Sequence, residues 1–171
     1  MMKILGTTAA VAALALTATP AFAAPVQPDK QATATARIIK PLTLTWVQDL
    51  DFGSITLVDS GPTTVTVALD GSRTCPGTAV TCSGASSAAK YKVVGTNNQV
   101  VKINTGNVSL VNQTDATKTL LMTVITPAGS QINLGNSGQA GTEFALGGSI
   151  PVAGTTMEGT YIGTFAVTVE Y

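Results

Sequence analysis

Three observations predict an all-β fold, an immunoglobulin-like Greek-key β-sandwich. Apolar residues recur at every second position in one short run after another, the period of a strand with one covered face. Thr supplies 24 of the residues from Ala24 to Tyr171, with Val and Gly also abundant and Glu, Lys and Arg scarce. Thr and Val fit a pleated surface and lose rotamer freedom in helices. No stretch beyond the first residues shows sustained helical periodicity, and turn chemistry separates the runs. About eight or nine short strands at such spacings suit a sandwich. The Cys-Trp-Cys core of antibody domains is missing, so the likeness is one of architecture.

Residues 1–23 read as an export signal. Met1-Met2-Lys3 is a short positive start, Ile4 to Ala18 is apolar or small, and Ala21-Phe22-Ala23 supplies the small-x-small pattern of a cleavage site. The expected mature chain starts at Ala24 and has no Cys there for a lipid anchor. No later run is apolar enough to cross a bilayer, so no membrane insertion is expected. Acids and bases nearly cancel, which leaves no nucleic-acid footprint. The remaining chain divides into an N-terminal extension, 24–40, and a sandwich domain, 41–171.

The strands follow in order. Gln31–Ile39 and Leu42–Val47 come first, then Leu50–Leu57 ("LDFGSITL"). In "TTVTVALDG", Val65, Val67 and Leu69 share one face, and Asp70-Gly71 ends the run as a turn. "KYKVVG", "QVVKINTG" and "NVSLVNQ" follow. "KTLLMTVITPAG" is apolar on both faces, as a strand covered on both sides would be. "INLGNSGQAGTEF" reads as a loop. "EFALGGSIPV" and "GTYIGTFAVTVEY" close the chain.

The only cysteines are Cys75 and Cys82. Export implies an oxidising compartment, so a disulfide between them is expected, closing a short loop.

Catalytic chemistry is largely missing. The chain has no histidine, which removes Ser-His-Asp and Cys-His arrangements and most zinc sites. Ser137 in "GNSGQ" has no base to take its proton. Asp49 and Asp51 lack the remaining oxygens of a calcium loop. Glu143, Glu158 and Glu170 show no pattern that selects a glycosidase pair. Asn107-Val108-Ser109 and Asn112-Gln113-Thr114 fit the glycosylation triplet, which is common by chance. No enzyme activity, cofactor or metal is expected.

The informative features are terminal. Tyr161, Gly163, Phe165, Val167, Val169 and Tyr171 alternate to the last residue, and such a strand must be paired and covered or it templates aggregation. At the other end, Ala32, Ala34, Ala36 and Ile38 share one face. Pro41 interrupts the ladder, and one proline cannot reverse the chain into a hairpin. The first strand therefore either crosses to the other sheet of its own sandwich or completes a neighbour's sheet by β-augmentation.

Taken together, "ATATARIIKPLTLT", "LDFGSI", "FALGGSIPV" and "GTYIGTFAVTVEY" resemble the family catalogued as domain of unknown function 4402, exported bacterial proteins with these motifs in this order. The N-terminal pattern is also similar to the major subunits of α-type chaperone–usher pili. That resemblance implies an incomplete sandwich completed by donor-strand exchange, a periplasmic chaperone, an outer-membrane usher, and passage from periplasm to cell surface. It implies that Ala32, Ala34, Ala36 and Ile38 are the plugs of the donor strand. It implies that Phe165, Val167, Val169 and Tyr171 form the chaperone-facing strand and groove wall. The expected function is a structural subunit of a surface fibre whose partners are copies of itself. The alternative is a self-contained exported sandwich that binds a glycan or a surface protein.

Overall fold

The computed structural model describes residues 23–59, 61–136 and 138–171. The export-signal reading falls on 1–23, of which all but Ala23 lie outside the described residues, as does Ser137. The chain divides after Ala36 into two units. In the first, residues 23–36 form no strand and are exposed throughout.

The second unit, Arg37–Tyr171, is all β, a sandwich-like fold of curled antiparallel sheets. Its largest sheet has the order β1 (Thr43–Gln48), β6 (Ala89–Val94), β11 (Thr142–Val152), β9 (Thr119–Ile125), β8 (Val108–Asn112), β12 (Tyr161–Ile162). On β11 also lies β3 (Thr63–Val67), which pairs β4 (Arg73–Thr74). A second sheet orders β10 (Gln131–Asn133), β7 (Val100–Thr105), β13 (Val167–Glu170). A ribbon of β2 (Ser54–Leu57) and β5 (Val80–Ser83) completes the strands.

The long strand β11 organises the main sheet. Thr142–Leu146 pairs with β6, and Gly148–Val152 pairs with β3 along the same side. At the switch, a Cβ on Gly148 would stand 2.8 Å from Leu50, 3.1 Å from Met122 and 3.2 Å from Phe52. The bare glycine lets the "LDF" residues pack onto the sheet, which links two motifs far apart in sequence.

Two apolar clusters share this interior. The first holds Val93, Val101, Ile103, Leu134, Phe144 and Leu146. The second holds Val65, Val80, Leu110, Met122, Ile150 and Val152. Leu50, Val124 and Phe165 pack against both and join them. Val65 and Val67 are fully buried, as the alternation of their strand requires.

Three expectations differ from the structure. β9 is covered on one face only, and Leu121 on its outer face is 55% exposed. Its sheet has a second layer on one side, so apolar residues facing outward stay in water. Within the expected loop after residue 130, Gln131–Asn133 pairs with β7 because Ile132 packs on the first cluster. Gln31–Ile39 lies in no strand, since an extended segment without a partner strand has no ladder to join.

Candidate functional site

β2 and β12 each pair on one side only among the described residues, β2 with β5 and β12 with β8. Between Asp49–Leu57 and Thr156–Phe165 lies an elongated cavity of about 920 Å³. Its floor is the second cluster, including Leu110, Met122, Ile150 and Val152. Half-buried Ile55 and Leu57 line one wall, Tyr161 and Phe165 the other. Because Leu50 and Phe165 also pack on the first cluster, they mark the end of the cavity nearest to it.

Local chemistry fixes both walls. In "LDFG", the Asp51 carboxylate accepts the Gly53 N–H at 2.7 Å, and Gly53 takes a left-handed φ of 66° that favours glycine. This turn directs the chain from β1 into β2. The Arg73 guanidinium then binds the carbonyls of Phe52 at 2.5 Å, Ser83 at 3.0 Å and Gly84 at 3.2 Å. It thereby ties the start of β2 to the end of β5. The Cys75–Cys82 disulfide lies beside them, with Cys82 directly opposite Ile55 in the ribbon.

The other wall is rooted in Asn112, which is 1% exposed. Its amide donates to the Glu158 carbonyl at 3.0 Å, and its oxygen accepts the N–H groups of Thr114 and Asp115. A buried amide engaged on both ends rules out Asn112 as a glycan acceptor. Asn107 in the other triplet spends its oxygen on the Val124 N–H at 3.3 Å.

The sequence-derived candidates separate in space. Phe165 lines the cavity, whereas Val167 and Val169 lie on β13 and pack on the first cluster. Among the described residues β13 pairs with β7 alone, so it too is an edge strand. Tyr171 donates its hydroxyl to the Lys40 carbonyl. Ala32, Ala34, Ala36 and Ile38 are exposed, Ile38 to 92%. The β2 wall, Arg73 and Asn112 were missed from sequence, although "LDFG" and the buried Asn of "LVNQ" lay within recognised runs.

One exposed aromatic lies near the cavity. Trp46 is 58% exposed, and its indole N–H donates to Asp49 at 3.0 Å. Tyr91 stands opposite Trp46 across the β1–β6 pair and stacks on Phe144. Burial holds the Tyr91 hydroxyl above the usual tyrosine range, and the Asp49 carboxylate adds to this. Among the described residues no group of acids and cysteines is placed to hold a metal, and no helix is long and apolar enough to cross a membrane.

These features define a class: an all-β sandwich with an apolar-floored cavity between two one-sided strands. The family model described as Domain of unknown function (DUF4402) matches residues 42–171, and the chain belongs to that family. No curated protein and no solved structure matches it.

Proposed function

We propose that this protein is a structural subunit of a bacterial surface fibre. It polymerises when the N-terminal strand of one copy enters the β2/β12 groove of the next. The single observation that carries this reading is the groove itself, apolar below and walled by two strands that each lack a partner on one side. Unpaired edges beside an apolar floor are a template for one more strand.

The chain supplies a suitable strand. Gln31–Ile39 alternates small apolar and polar residues and joins no ladder of its own. Its root is fixed at Lys40 by Tyr171 and Thr96, where Gly95 abuts Leu42 and Leu134 of the first cluster. The groove floor belongs to the second cluster, so the root at Lys40 lies by a different cluster from that floor. That placement favours insertion into a neighbour.

Each ladder bond contributes about 0.5–1.5 kcal/mol net. Burying Ile38 adds about 1.5–3 kcal/mol, and each alanine less. Contact between unlike surfaces of successive copies gives an open filament where the rotation between copies does not close into a ring. A periplasmic chaperone and an outer-membrane usher, with export through the signal, complete this reading.

The test uses the chain from Ala24 onward. Filaments in the electron microscope and ladders that resist detergent are expected. Ala34→Asp, which puts a charge among the plugs, should abolish both while leaving the fold intact. A monomer at every concentration overturns the fibre reading.

A second reading rests on Trp46. An exposed indole whose N–H is held by Asp49, across the strand pair from Tyr91, is a surface on which a sugar ring stacks. Under it the protein is a self-contained exported sandwich that binds a glycan, and Trp46→Ala abolishes retention on a glycan array.

A further inference from the structure

The acceptor groove carries charge of one sign. Among the described residues its lining includes Asp49, Asp51 and Glu158 and no lysine or arginine. Asp49 and Asp51 lie at the start of the β2 wall, and Glu158 leads into the β12 wall. All three are exposed. Arg73 stands behind the wall, its guanidinium directed to the carbonyls of Phe52, Ser83 and Gly84, and it does not line the groove.

The segment offered as occupant has the opposite balance. Residues 24–40 carry Lys30, Arg37 and Lys40 against the single acid Asp29. Lys40 is tied to its own body through Thr96 and Tyr171. Lys30 and Arg37 remain to enter the groove, one on each side of the Ala32–Ala36 plugs. Among the described residues of its own unit, Arg37 donates to the uncharged Gln99 side chain. Exchanging that amide for a carboxylate gains a charge-assisted contact.

We infer that Asp49, Asp51 and Glu158 set the specificity of the groove for a basic alternating strand. This inference rests on the fibre reading and adds the recognition chemistry to it. The apolar floor accepts any small alternating side chains and discriminates poorly between strands. The rim discriminates by sign, drawing in a positively charged segment and repelling an acidic one. Exposed rim charges act chiefly on the rate of encounter and are screened by salt. Their effect therefore falls on association, with dissociation of the inserted strand unchanged.

The experiment follows polymerisation of the chain from Ala24 by light scattering as NaCl is raised from about 50 mM to about 500 mM. The wild-type rate is expected to fall about tenfold or more across that range. In the variant Asp49→Asn, Asp51→Asn, Glu158→Gln, the low-salt rate should drop about tenfold and the salt dependence should flatten. The asparagines keep the oxygens that accept from Trp46 and Gly53, so the walls stay folded, which an unchanged melting temperature confirms. Arg37→Glu should slow wild-type assembly about tenfold and should recover at high salt. Assembly at a rate indifferent to salt and to all four substitutions overturns the rim inference and leaves the fibre reading standing. No assembly under any condition overturns both.

Discussion

Tyr171, the last residue, donates its hydroxyl to the carbonyl of Lys40 at 2.5 Å. The same oxygen accepts the Thr96 N–H at 2.8 Å, and the Thr96 hydroxyl accepts the Lys40 N–H at 2.6 Å. One phenol thus fastens the C-terminal strand, the turn after β6 and the root of the N-terminal segment. Tyr171→Phe keeps the ring and removes these bonds. It should cost about 1–2 kcal/mol in urea unfolding and speed hydrogen exchange at the Thr96 amide.

The disulfide sits behind one wall of the groove. Its loop is short, with a sequence separation of 7, so its removal should cost about 2–3 kcal/mol. Among the described residues the two-stranded ribbon it braces has no other ladder, and such ribbons are marginal alone. In Cys75→Ala/Cys82→Ala, exchange should therefore accelerate first at Ile55 and Leu57, with β11 still protected. Equal loss of protection everywhere would refute this local role.

Asn112→Ala leaves the Thr114 and Asp115 N–H groups and the Glu158 carbonyl without their partner. A loss of about 1–3 kcal/mol is expected, since three part-buried hydrogen bonds of about 0.5–1.5 kcal/mol each are removed. Guanidinium unfolding measures it directly.

Acid should destabilise the fold. Hydrogen bonds from Ser72 hold the Asp70 carboxyl below its ordinary value, and those from Thr117 do the same for Asp115. Glu170 is lowered by Asn104 and then by Lys102, which it also meets in an ion pair at 3.3 Å. A carboxyl depressed in the folded state stabilises above its unfolded value. That contribution is lost as pH falls through the folded value. Melting temperature should thus hold from neutral pH down to the ordinary carboxylate range and decline below it. Glu170→Gln should shrink the decline slightly, because the group is fully exposed.

How far the sequence reveals this molecule depends on the range of each signal. Alternation marked Val65 and Val67 as buried and located β1, β3, β6 and β11 because period two is a local property. Near the C-terminus the alternating burial of Tyr161 to Val169 follows the sequence residue by residue. The groove was not legible in that way. Its floor joins Leu110, Met122 and Ile150 from three strands, and which edges stay unpaired is decided only once the sheets are assembled. Leu121 misled for the same reason: an apolar run does not say which of its faces meets a second layer. Asn112 stood out only as part of a glycosylation triplet because its structural role lies with Glu158, far along the chain.

The stretch from Tyr161 to Tyr171 begins in the large sheet against β8 and ends in the small one against β7, with Phe165 packed on both clusters between them. This one stretch is thus a rivet through both layers. Loosening it unfastens the large sheet and the small one together, so the two layers open as a unit rather than in turn.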